Sequence, residues 1–158
     1  MGKIEIGPAR TAAEIETAKA LAGEYAASLG FDLGYQDFSA EMADFPGKYA
    51  PPMGALLLGR LDGAVMGMVA LRDLGQGIAE MKRLYVRPAA RGSGIGAALA
   101  GAVVDVGREL GYRAMRLDTV PGEHDRAIAL YRRMGFREIV PYYESPIPGT
   151  LYFQLDYR

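Results

Sequence analysis

The sequence predicts an α+β domain built on one central, mixed, mostly antiparallel twisted sheet flanked by helices. Three observations carry this. Residues 54–86 hold three apolar runs of strand length joined by tight glycine turns, the pattern of an antiparallel meander. A glycine-rich loop and a long amphipathic helix then separate the third run from a fourth at 114–119, a separation that suits a parallel crossover. The chain has 158 residues, 50% of them hydrophobic and 23% charged, which is one domain's worth of ordinary globular composition with enough length for a core.

The elements follow in order. Residues 3–6 alternate charged and apolar side chains and suit a short strand. Thr11-Ala12-Ala13-Glu14 has the form of a capping box, with the hydroxyl placed to accept from the third amide and the glutamate placed to reach back. The Ala-rich helix behind it extends to about residue 29, where Gly30 ends it. An aromatic and polar stretch, 31–38, leads into a short helix over 39–44, and Pro46-Gly47 and Pro51-Pro52 mark loops. Runs 54–61 and 64–71 meet at Asp62-Gly63, a pair suited to a type I′ turn, whose two central residues both need positive φ. Gly75 to Gly77 turns the chain into a third strand, 78–86, which Pro88 stops. Strand alternation places Glu80, Lys82, Leu84 and Val86 on one face of it. A helix over 94–110 ends at Gly111, a strand covers 114–119, and a helix over 127–134 ends at Gly135. Strands 136–140 and 151–156 close the sheet, joined by a loop rich in proline and aromatics.

Composition removes several function classes. The chain has no cysteine, so thiolate nucleophiles, disulfides and Cys-ligated zinc are excluded; with one histidine, a His-rich metal site is excluded too, and no metal is expected. A net charge of -1 gives neither nucleic acid nor an anionic membrane a handle. The longest apolar run, 54–59, is far short of the ~20 residues a membrane span needs. The first residues carry no apolar stretch of secretory type, so a cytoplasmic location is the expectation.

The loop Arg91-Gly92-Ser93-Gly94-Ile95-Gly96 is the most informative segment. Glycines let backbone amides turn inward at a helix N-terminus, where the dipole favours phosphate, and Arg91 adds a positive charge. A tight turn without a ligand is the plain alternative. An ATP-type loop needs Gly-Lys-Ser/Thr, and Ala97-Ala98 follows Gly96 instead. The dinucleotide pattern G-x-G-x-x-G/A does match from Gly92 to Ala97, with Asp118 ending the next strand as a candidate ribose-binding acid. Against it, the loop comes after three antiparallel strands, five residues separate Val86 from Gly92, and too little chain remains for a doubly wound sheet.

Arg91-x-x-Gly94-x-Gly96, following a strand and Pro88, resembles the [Q/R]-x-x-G-x-[G/A] signature of the GNAT acetyltransferase superfamily. A second motif, Ala127-Ile128-Ala129-Leu130-Tyr131-Arg132-Arg133-Met134-Gly135-Phe136, is similar to the family's later helix, which bears a tyrosine ahead of Gly-Phe. The resemblance is sharp over 80–136 and architectural over most of the chain. It implies an N-acetyltransferase moving acetyl from acetyl-CoA to a primary amine, by direct attack in a ternary complex and without a metal. It also implies a cofactor cleft between strand 78–86 and strand 114–119.

Carried over residue by residue, the resemblance puts the CoA pyrophosphate on the amides of Arg91, Gly92, Ser93, Gly94, Ile95 and Gly96. The pantetheine arm lies along Leu84, Tyr85 and Val86 like an added strand, and an amide near Val86 polarises the thioester. Tyr131 stands at the position of the tyrosine that serves the leaving thiolate; a plain core tyrosine is the other reading. Glu80 matches the catalytic glutamate of histone-type members, with an ion pair to Lys82, Arg83 or Arg72 as the alternative. His124 lies seven residues before Tyr131, where many members have an asparagine that contacts CoA. The acceptor pocket draws on Tyr35, Gln36, Asp37, Tyr142, Tyr143 and Glu144, with Asp37 and Glu144 suited to a cationic amine. Family habit makes a homodimer an expectation. Two other functions stay open from the residues: a non-catalytic CoA sensor and an NAD-type enzyme.

Overall fold

Local chemistry sets where the elements begin and end in the computed structural model, which describes residues 2–157. Helix α1 (Ala12–Ser28) opens on the predicted capping box: the Glu14 amide donates to Thr11 Oγ1 at 3.1 Å and the Thr11 amide donates to Glu14 Oε1 at 3.1 Å. The hairpin between β2 (Ala55–Leu61) and β3 (Ala64–Gly75) turns through Asp62 at φ 52 and Gly63 at φ 86, the positive pair a type I′ turn requires. β3 runs longer than the apolar pattern suggests, because Arg72, Asp73 and Gly75 stay paired to β4 (Ile78–Val86) beyond the hydrophobic run. Helix α2 (Phe38–Ala43) is one turn and a half, and α3 (Ile95–Glu109) is the long helix behind the glycine loop. β5 (Ala114–Thr119), α4 (Asp125–Met134), β6 (Arg137–Ile139) and β7 (Leu151–Asp156) complete the chain, after an initial β1 at Ile4–Pro8.

The strands form one sheet in the order β1-β2-β3-β4-β5-β7-β6. β4 and β5 pair in parallel, as the intervening helix requires, and the other five pairings are antiparallel. A doubly wound dinucleotide sheet is therefore ruled out. Helices α3 and α4 cover one face over Val69, Met115, Leu117 and Phe153; α1 covers the other over Leu58, Met68 and Tyr85. α3 sits close because β3 carries glycine where the two meet: a Cβ at Gly67 would stand 2.8 Å from Leu99 Cδ1. Among the described residues no helix is long and apolar enough to cross a membrane.

One expectation fails in a way that shapes the site. The β3–β4 register slips between the pairs Met68–Tyr85 and Ala70–Lys82, so one residue, Val69, opposes two, Arg83 and Leu84. Arg83 takes φ 60 to make this bulge. Simple alternation would put Glu80, Lys82, Leu84 and Val86 on one face. Instead Leu84 and Val86 pack with Ala79 and Met81 under α3, while Glu80, Lys82, Arg83 and Tyr85 face α1 and α2.

Candidate active site

β4 and β5 stay paired over only three residues, Ile78–Ala114, Ala79–Met115 and Glu80–Arg116, and then diverge. The divergence leaves one edge of β4 bare. The Arg87 amide donates across to Met66 on β3 at 2.8 Å. Successive amides in a strand point to opposite sides, so Val86 directs its N–H and C=O toward the gap, where no strand receives them and the carbonyl accepts from Arg91 Nε at 3.3 Å. The bulge matters here: it puts the side chains of Leu84 and Val86 under α3 while turning the charged side chains of Lys82 and Arg83 to the opposite face.

A groove of about 980 Å³ begins at this bare edge and runs to the glycine loop. It is lined by Leu84, Tyr85, Val86, Arg91, Gly92, Gly94, Ile95 and Gly96, the residues the resemblance assigns to cofactor, together with His124. Ser93 is placed differently. Its amide donates to Ala90 O and its hydroxyl accepts from the Ile95 amide, so it shapes the loop from within. The Arg91 amide is likewise committed, to Pro88 O. That leaves the amides of Gly92, Gly94, Gly96 and Ala97 without an acceptor among the described residues, at the head of α3. Gly92 and Gly94 have φ 83 and 95, a conformation that resists a side chain; a Cβ on Gly92 would meet open space and one on Gly94 only Ile4 Cδ1, at 3.8 Å. The cradle is thus bare backbone with four donors, which fits a phosphate-bearing ligand.

Tyr131 and His124 line the gap between the diverging strands, and His124 also borders the groove. Tyr131 projects from α4 into the gap between the diverging strands, beside Leu84 and Leu117. Its ring packs on Phe136 with centroids 5.8 Å apart, and its hydroxyl has no hydrogen-bond partner among the described residues. Burial pushes the phenol well above its ordinary value, so the hydroxyl keeps its proton. His124 precedes α4 and stacks on Tyr25 of α1, interplanar angle 5°. Its Nδ1 accepts from the Val120 amide at 3.1 Å, which places the neutral ring's proton on Nε2. That Nε2 is the one buried side-chain polar atom without a partner among the described residues, and it borders the groove. An orphaned buried donor beside a phosphate cradle is a second observation that fits a bound ligand there.

Desolvation lowers the His124 pKa below its ordinary 6.5. The unfolded chain therefore takes up a proton at a pH where the folded chain does not. The stabilisation is complete above about pH 6.5 and is lost as pH falls below it. Tm is expected to drop between pH 7.5 and 5.5, and His124→Asn to flatten that slope; an unchanged slope would place the titration elsewhere.

On the far side of β4 lies a cavity of about 370 Å³, walled by Tyr35, Gln36, Tyr49, Arg72, Glu80, Lys82 and Tyr143, with Asp37, Asp44 and Lys48 at its exposed rim. Lys82 and Gln36 border both this cavity and the gap between the strands, so the two spaces meet there. Glu80 is 1% exposed; it accepts from Arg72 Nε at 2.7 Å and from the Tyr142 hydroxyl at 2.7 Å. The ion pair with Arg72 anticipated for Glu80 is thus present. Tyr143 donates to Asp118, which holds the C-terminal loop over the gap. With both tyrosines turned inward, Glu144 turns out: it is exposed and borders a separate outer cavity and not the one beside β4 that the resemblance offers to an acceptor. Tyr25, which lies against the gap and the groove, escaped sequence reasoning because its four-residue spacing from Leu21 reads as plain helix core.

The acetyltransferase (GNAT) family model matches residues 21–136 of the chain. An uncharacterised N-acetyltransferase of Schizosaccharomyces pombe is 37% identical over 155 residues, covering 97% of this chain and 94% of its own. In fold, an acetyltransferase from Streptococcus agalactiae superposes with a TM-score of 0.76 at 19% identity, covering 98% of both chains. A protein of Salmonella typhimurium, solved with acetyl-CoA as its cofactor, does so with a TM-score of 0.66 at 18% identity, over 97% of this chain and 93% of its own.

Proposed function

The chain belongs to the acetyltransferase (GNAT) family, and from that premise we propose that it moves an acetyl group from acetyl-CoA to a primary amine by direct attack within a ternary complex. The observation that carries this is the parting of β4 from β5, which joins a backbone phosphate cradle to a second cavity through one gap. Acetyl-CoA supplies the acyl group activated as a thioester. The amides of Gly92, Gly94, Gly96 and Ala97, with Arg91 beside them, hold its phosphates. The unpaired edge of β4 at Val86 offers its backbone to the amide-bearing arm, as an edge strand does to an added one, with Leu84 and Tyr85 beside it. His124 Nε2 donates to the same ligand.

In the transfer the amine nitrogen bonds to the acyl carbon as the C–S bond breaks, and the electron pair leaves on sulfur. The Val86 N–H, on the unpaired edge of β4, polarises the acyl oxygen. Tyr131 gives its proton, or a hydrogen bond, to the departing sulfur. The amine's proton goes to Glu80. Its carboxylate has about four acceptor sites, and Arg72 and Tyr142 occupy two.

Thermal melting tests the cofactor assignment directly. A ligand that binds only the folded chain, at ~100 times its Kd, stabilises it by about 2.7 kcal/mol. For a domain of this size that is a rise in Tm of roughly 5–10 °C. The expected outcome is such a rise with acetyl-CoA and with CoA, and none with NADH. No rise with acetyl-CoA would overturn the proposal.

A further inference from the structure

Resting on the acetyl-transfer reading above, we infer that the acceptor is an amine carrying a carboxylate next to its amino group, an amino acid, and that Lys82 holds that carboxylate.

On this face of the sheet two cations have no carboxylate partner among the described residues, Lys82 and Arg116. Arg116 donates to Gln154 Oε1 at 2.7 Å, lies over the Tyr142 ring and borders neither the cavity nor the gap, which leaves Lys82 as the unmatched cation of the cavity's inner β-strand wall. Arg72 pairs with Glu80, Arg83 with Glu41 through two bonds, and Arg87 with Glu24. Lys82 has no carboxylate oxygen within 4.0 Å among the described residues. Its one bond goes to the neutral Gln36 Oε1, at 2.9 Å, and that oxygen also accepts from Arg83 at 2.7 Å. The two carboxylates whose fields reach Lys82 are committed elsewhere, Glu80 to Arg72 and Tyr142, Asp118 to Tyr143. An ammonium group has three donors, so two remain on Lys82. A half-buried cation without a counter-ion is costly, and the cost falls when a ligand brings the missing charge.

Position turns this into substrate chemistry. Lys82 stands where the acceptor cavity opens into the gap beside Leu84, the place an acceptor nitrogen must occupy to reach the bare edge of β4. An ammonium entering alone would meet an unmatched positive charge there. An amine with a carboxylate one carbon away puts its anion on Lys82 and its nitrogen in the gap at the same time. The cavity, about 370 Å³, is at the small end of the ~300–1,000 Å³ range of small-molecule pockets and suits a single amino acid.

The test compares each common amino acid with its carboxamide as acceptor, using wild type, Lys82→Met and Lys82→Arg. Wild type is expected to favour the carboxylate member by at least tenfold in kcat/KM. Lys82→Met should lose that preference mainly through KM, and Lys82→Arg should restore most of it. A readout independent of turnover is the rise in Tm given by N-acetylamino acids in the presence of CoA, set against their amides; Lys82→Met should abolish the difference. Equal use of acids and amides by wild type overturns the inference, and so does a fall in kcat for both with KM unchanged, which would make Lys82 a proton acceptor. Acetyl-CoA melting, run alongside, separates the two levels: a rise with acetyl-CoA but no carboxylate preference removes only this inference, whereas no rise removes the parent reading with it.

Discussion

Tyr131→Phe is expected to lower kcat about a hundredfold or more while leaving the acetyl-CoA-induced rise in Tm in place. General acid catalysis contributes typically 10²–10⁴-fold, and Tyr131 is the one hydroxyl on α4 that enters the gap between β4 and β5. Burial holds the phenol protonated well past neutrality, so it is a standing donor to a sulfur that gains negative charge as the C–S bond opens. The substitution removes one oxygen and keeps the ring. Packing on Phe136 and the 6% exposure of the side chain are preserved, and stability should change little. Steady-state kinetics on one acceptor with saturating acetyl-CoA reads the effect. An unchanged kcat would return Tyr131 to the core and move the donor role to His124, whose Nε2 borders the same groove.

Arg83→Met is expected to destabilise the fold by about 3 kcal/mol, the lower end of the cost of breaking a buried ion pair by removing one partner. Arg83 is 4% exposed. It donates to both oxygens of Glu41, at 2.7 and 3.1 Å, and to Gln36 Oε1 at 2.7 Å, and it lies over the rings of Tyr25 and Phe38. These contacts tie β4 to α1, α2 and the turn before α2, so one side chain holds together the wall of the acceptor cavity. The Glu41 side chain keeps 18% exposure, so water offsets part of the loss. Tm should fall by roughly 6–12 °C on a chain of this length. Glu41→Gln added to Arg83→Met should recover much of the fall, because the stranded carboxylate is then gone. A double mutant no better than Arg83→Met would mean the cost is packing around the bulge and not charge.

Much of the architecture was legible in the sequence because its signals are local. A capping box, an Asp-Gly turn, the glycines after α3 and α4 and a proline after β4 act over three or four residues, and each stands where the pattern put it. The parallel β4–β5 pair was legible too, since a helix between two strands in one sheet admits little else. The glycine loop and the tyrosine helix pointed to the family, and the family is what the chain belongs to. What the pattern of residues could not carry is the bulge at Arg83. Alternation of period two is an assumption about unbroken pairing, and only the partner strand decides whether pairing is unbroken. The bulge moved Leu84 and Val86 to the α3 side and left Lys82 and Arg83 facing α1 and α2. Pairing at a distance was beyond the sequence for the same reason. That Glu80 meets Arg72 and Tyr142, that Glu144 points away while the two tyrosines before it point in, and that Lys82 borders the cavity without a counter-ion all depend on which charges from separate segments converge. The sequence by itself determined the elements, their order and the family. The tertiary structure decided which face each side chain of β4 serves, because charge compensation is a property of neighbours in space and not of neighbours in the chain.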